Sequence, residues 1–119
     1  MPLFFIKKKY FEKIVNGEKK AELRVGKNWE KLARRMQESK IDPIAIFRSG
    51  RQKVVREIYR IEIFPSIKRA LASGRWKLLG LSAKTYPEAI ECIRKLYPKG
   101  MWGPAVLFWL RIPKDKDSK

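Results

Sequence analysis

The sequence has no histidine, and its one cysteine is Cys92. Together these exclude an internal disulfide and any zinc-ligand set, and they remove the commonest acid–base group. Cys92 has no imidazole to activate it, so it is a poor nucleophile and reads as a buried structural thiol on a helix. Asn16, Asn28, Gln37, Gln52 and Thr85 are the whole complement of their types, a scarcity shared with heat-adapted proteins. No Gly-x-x-x-x-Gly-Lys-Ser/Thr loop and no Gly-x-Gly-x-x-Gly turn occurs, so neither a cofactor nor a metal is expected. The opening apolar run Met1–Ile6 stops at Lys7-Lys8-Lys9, too short for a signal core or a membrane span. A cytoplasmic protein off the membrane is the expectation.

Acids are the other shortage. Asp and Glu number 12 against 29 Lys and Arg, a net charge of +17. A thermophile's surface raises Glu along with Lys, and here Glu lags, so an anionic partner accounts for the excess better than surface habit. The commonest polyanion is nucleic acid, which makes RNA the expected partner. At 119 residues the chain fits one domain, and it can bury enough surface to fold without a metal or disulfide. That domain is expected over residues 1–113. Residues 114–119, without an apolar anchor, read as a disordered basic tail.

What is present is a sequence of short amphipathic segments. Leu3 to Lys7 reads as a strand, and Tyr10, Phe11, Ile14 and Val15 as a helix that Gly17 closes. Asn28 is placed to cap a second helix carrying Trp29, Leu32, Ala33 and Met36 on one face. Asp42-Pro43 breaks it, and Ile44–Phe47 and Lys53–Phe64 follow as a hairpin. In the second hairpin strand Val55, Tyr59, Ile61 and Ile63 are expected on one face, with Arg56, Arg60 and Glu62 on the other. Pro65-Ser66 opens a short helix, and Arg75 to Lys84 reads as a loop. Thr85 and Glu88 form a capping box for a last helix, and Ala105–Ile112 reads as a central strand. The order β-α-β-α-β-β-α-α-β gives an α+β domain with a small curved sheet or open barrel.

One stretch concentrates the chemistry. After Gly17, residues Lys20, Glu22 and Arg24 alternate with Ala21, Leu23 and Val25, while Lys19 sits at the bend and can swing toward the same mouth. A sheltered Glu22 would hold Lys19 and Arg24 as ready donors for a phosphate, a carbonyl or a base edge. An ordinary cross-face salt bridge is the bland alternative. Arg48, Arg51, Lys53 and Arg56 give the hairpin a basic tip suited to phosphate contacts. Trp102, flanked by Gly100 and Gly103, is a candidate for stacking a base or for covering the core.

The spacing Gly17-x-Lys19-x-x-Glu22-x-Arg24, together with the element order, resembles the ASCH domain family, relatives of the PUA-like RNA-binding domains. The resemblance spans nearly the whole chain. It implies a PUA-like open β-barrel, a curved mixed sheet of about five strands with helices around it. It also implies that Lys19, Glu22 and Arg24 line a cleft for RNA or a nucleotide-like ligand, with Gly17 serving the turn. Such a module would act in translation or RNA processing, as a monomer or beside a ribonucleoprotein partner. Some bacterial relatives are instead amidohydrolases on acetylated cytidine, or ribonucleases, and that alternative would put Lys19 and Glu22 to work as a catalytic pair. The amidohydrolase type has a threonine where Glu22 stands and an acid before the final helix, where Leu81-Ser82-Ala83-Lys84 supplies none.

Overall fold

A computed structural model describes residues 1–39, 41, 43–99 and 103–114. Asp42, Gly100, Trp102 and all of the proposed tail except Lys114 lie outside the described residues. The chain opens with β1 (Leu3–Phe5), which buries Phe4 and exposes its two neighbours. Helix α1 (Lys8–Val15) buries Tyr10, Phe11 and Ile14, and Gly17 at φ 87 turns the chain into β2 (Ala21–Val25). Helix α2 (Lys27–Gln37) follows directly. Its start is a correction: Gly26 at φ 119, held by its N–H to Pro104 O, turns the chain two residues early. Asn28 therefore lies inside the first turn and caps nothing.

Strands β3 (Ile44–Ser49) and β4 (Gln52–Phe64) form the hairpin. After α3 (Ile67–Leu71), capped by Ser66, the stretch expected to be loop contains a 3-10 helix, Arg75–Leu79. Left-handed glycines 74 and 80 bracket it, and Trp76, Leu78 and Leu79 pack onto the core, which is what orders it. In helix α4 (Tyr86–Leu96) the Thr85 hydroxyl accepts from Glu88 N–H, as a capping box requires. Cys92 is half-buried on this helix, not fully enclosed as expected, because its side of α4 faces the Ser82 turn and not the sheet. Strand β5 (Ala105–Arg111) ends the fold.

The strands form one five-stranded sheet in the order β1-β3-β4-β5-β2, parallel only between β1 and β3. β5 lies between β4 and β2 and is buried on both faces. Val106, Phe108 and Leu110 face a core shared with α1 and α2, while Ala105 and Leu107 face one shared with α3, the 3-10 helix and α4. That double burial explains its nearly continuous apolar sequence. The result is an α+β fold with a curled half-barrel sheet, as a PUA-like open barrel requires.

The expected alternation of β4 does not hold along its length. Its pairing with β5 shifts between Ile58 and Arg60. Val54 and Ile58 point inward before this bulge, and Ile61 and Ile63 after it. Val55 and Tyr59, expected on one face with Ile61 and Ile63, lie on the other and are 41% and 46% exposed. An extra residue in one strand exchanges the two faces beyond it. Among the described residues no helix is long and apolar enough to cross a membrane.

Candidate functional site

The two edges of the sheet, β1 and β2, approach each other where the barrel stays open, and Lys19, Glu22 and Arg24 occupy that seam. Arg24 reaches from β2 across the gap, its Nη2 donating to Phe5 O of β1 at 2.7 Å. Its Nε and Nη2 both lie 2.7 Å from Glu22 Oε2. The guanidinium centre sits 5.3 Å from the Phe4 ring centre and 5.0 Å from that of Trp29, so its position is fixed by aromatic faces as well as by hydrogen bonds.

Lys19 completes the group from the other side. Its Nζ lies 3.0 Å from Glu22 Oε1 and donates to Leu79 O at 3.0 Å. The backbone explains how a residue of the wrong strand parity arrives here. Lys19 N–H binds Lys13 O and Lys20 N–H binds Leu78 O, which pins the bend between α1 and the 3-10 helix. Lys19 and Glu22 are the buried charged residues of the described structure, each 6% exposed. The charged face of β2 is therefore closed over at Glu22. Charges this deep require close partners, and each oxygen of Glu22 has one.

Gly80, at φ 69, closes the 3-10 helix beneath Lys19, and Lys13 Nζ donates to its carbonyl at 2.6 Å. A Cβ there would stand 3.1 Å from Lys19 Cβ and 3.2 Å from Lys13 Cδ. Gly80→Ala combines left-handed strain with displacement of both lysines, and a loss of about 1–3 kcal/mol is expected. A thermal melt measures it; an unchanged melting temperature would show that the lysines move aside freely.

Above the charged group is a cavity of about 210 Å³. Its walls are Phe5 of β1, Lys7 after it, Tyr10 of α1, Leu81 after the 3-10 helix, and Tyr97 at the end of α4. The Tyr97 hydroxyl donates to Leu23 O at 3.3 Å. Burial holds its pKa above the usual tyrosine value, and the negative charge of Glu22 adds to the rise while Arg24 opposes it. Tyr97 thus presents a neutral phenol edge beside a cationic floor.

The other expected site residues lie elsewhere. Lys20 is exposed and lines a separate cleft with Arg56 and Arg111 beside Gly17. Arg56 turns inward, its Nη2 donating to Ile14 O at 3.3 Å at the end of α1, and burial lowers its pKa. Arg48 folds onto the hairpin turn with Nε 2.8 Å from Gly50 O, and Arg51 and Lys53 are exposed around it. Phe5, Tyr10 and Lys13 join the seam although nothing singled them out. An alternation with Phe4 inward marks Phe5 as outward. No local pattern marks Lys13, whose contact is 67 residues away.

No family model and no curated protein matches the sequence. Solved structures do match over 92% of the chain. The hypothetical protein PH0355 is 19% identical with a TM-score of 0.64, and 95% of its chain is covered. PF0455 from Pyrococcus furiosus is 17% identical with a TM-score of 0.62 over 94% of its chain. ZmASCH from Zymomonas mobilis, solved as a point mutant, is 17% identical with a TM-score of 0.54 over 66% of its chain. This chain has the ASCH-domain fold. At these identities the likeness concerns architecture. Within the ASCH fold of this chain, the seam is where its own sequence places the buried charges.

Proposed function

We propose that the seam cavity binds a nucleotide-like ligand and that the chain is an RNA-binding module. The observation that carries this reading is the buried Lys19–Glu22–Arg24 group at the cavity floor. Glu22 holds two cations in fixed positions, so their remaining N–H groups are set before a ligand arrives and little ordering cost remains at binding. The cavity, smaller than the ~300–1,000 Å³ of drug-sized pockets, suits a single base or sugar-phosphate and excludes a duplex. The net charge of +17 supplies long-range attraction for a polyanion. A place in translation or RNA processing, as a cytoplasmic monomer or in a ribonucleoprotein particle, follows from the same reading.

The occupied oxygens of Glu22 count against the hydrolase alternative. A general base must reach a water, and Glu22 is 6% exposed with Lys19 Nζ on Oε1 and both Arg24 Nε and Nη2 on Oε2. The test is calorimetric titration with the four ribonucleoside monophosphates and a short single-stranded RNA at two salt concentrations. RNA affinity should fall steeply with salt. Lys19→Met should weaken mononucleotide binding by about tenfold or more, the scale of a lost hydrogen bond to a charged group. No binding by the wild-type protein at low salt would overturn the proposal.

A further inference from the structure

One face of the sheet is only half covered. On its β5 and β2 side, α3, the 3-10 helix and α4 bury Ala21, Leu23, Ala105 and Leu107. On its β1, β3 and β4 side the same face is open, with Leu3 44%, Phe5 65%, Val55 41% and Tyr59 46% exposed. The strand register sets these residues in rows. Leu3 lies beside Ile46 and Ile46 beside Val55; in the next row Phe5 lies beside Arg48 and Arg48 beside Lys53. An apolar row thus runs next to a row of one aromatic ring and two cations.

The charge on this face is unbalanced. Glu57 is engaged by Arg111 at 2.7 Å, and Glu62 accepts from Trp109 Nε1 at 2.8 Å and from Arg60 at 3.4 Å. Among the ion pairs of the described residues none involves Arg51 or Lys53, and both are exposed. A neutral apolar partner would bury these cations uncompensated, at a cost of several kcal/mol per ion. A single nucleic-acid strand matches both rows, since it offers flat apolar rings and anions in alternation. A duplex does not, because its base faces are already stacked inside it.

We infer that this open half-face holds single-stranded RNA, with bases against Phe5 and Tyr59 and phosphates on Arg48 and Lys53. The strand continues from the seam. Phe5 belongs to both places: it lines the cavity, its carbonyl accepts from Arg24, and it stands beside Arg48 in the sheet. The inference therefore rests on the seam accepting one nucleotide and adds a path for that nucleotide's neighbours.

Fluorescence anisotropy with a short oligouridylate, the same strand annealed to its complement, and uridine monophosphate tests it. Lys53→Glu and Val55→Glu, both at exposed positions, should each weaken the single strand about fivefold or more while leaving the mononucleotide constant unchanged. The duplex should bind more weakly than the single strand. Ultraviolet cross-linking of the wild-type protein to the oligouridylate, mapped by mass spectrometry, should mark the peptides containing Phe5 and Tyr59. It guards against a variant that fails to fold. Unchanged single-strand affinity in two folded variants, equal duplex affinity, or cross-links confined to other peptides would overturn the inference. If the mononucleotide does not bind but Val55→Glu still weakens the strand, the seam reading fails and the face assignment stands.

Discussion

Glu22→Ala is expected to lower stability by about 3–5 kcal/mol, because it leaves buried cations without their counter-charge. Lys19 would keep only the Leu79 carbonyl, at 6% exposure, and Arg24 would lose both contacts to the carboxylate. For a domain of this size the melting temperature should fall on the order of 15 °C. The comparison is Glu30→Ala. Glu30 pairs with Arg34 at a similar distance, 2.9 Å, but on the exposed face of α2. An exposed helical pair is worth about 0.3–0.5 kcal/mol, so that change should barely register. Matching losses in the two variants would mean that burial of the Glu22 carboxylate contributes nothing special.

Arg24→Lys is the second large effect, although it preserves charge. The guanidinium acts through several donors at once, holding Glu22 and the Phe5 carbonyl while lying against Phe4 and Trp29. An ammonium can keep one of these partners without the planar stacking. Loss of a charged hydrogen bond across the seam should cost about 1.5–3 kcal/mol. The cost should be local as well as global, because Arg24 ties β1 to the opposite sheet edge. β1 is short, and its continuation is held by Ile6 N–H to Arg48 O. Hydrogen exchange at Ile6 should therefore accelerate in Arg24→Lys more than exchange at Leu107 in the central strand. Equal acceleration at both would show a general loss of stability and no role as a seam tie.

Much of this architecture could be read from local pattern. The Thr85/Glu88 capping box, the Gly17 turn and the apolar run of β5 each act over a few residues, and each took the expected form. The departures come from tertiary context. The β4 bulge depends on its pairing with β5, so no alternation within β4 alone could place Tyr59 outside. The 3-10 helix depends on Trp76, Leu78 and Leu79 finding the core. Gly26 moved the start of α2 through its bond to Pro104, 78 residues away in sequence.

The site divides the same way. The Gly17-x-Lys19-x-x-Glu22-x-Arg24 spacing grouped three charges that the structure does bring together. Their depth was not visible, since an alternating polar strand normally faces water and here β1 and the 3-10 helix close over it. The basic hairpin residues read from sequence as one tip suited to phosphate contacts. The strand register instead assigns Arg48 and Lys53 to the open outer face, and Arg56 to the end of α1.

The central claim is that the Lys19–Glu22–Arg24 group is the floor of a ligand site and not only an internal tie. The most direct measurement is a two-dimensional ¹H–¹⁵N spectrum of the wild-type protein, titrated with a ribonucleoside monophosphate. Binding in the seam should move the amides of Lys19, Leu23, Arg24 and Gly80 and the Arg24 Nε–H resonance in a saturable way, ahead of any change at the hairpin. Shifts confined to Arg48, Arg51 and Lys53, or none at saturating nucleotide, would contradict it.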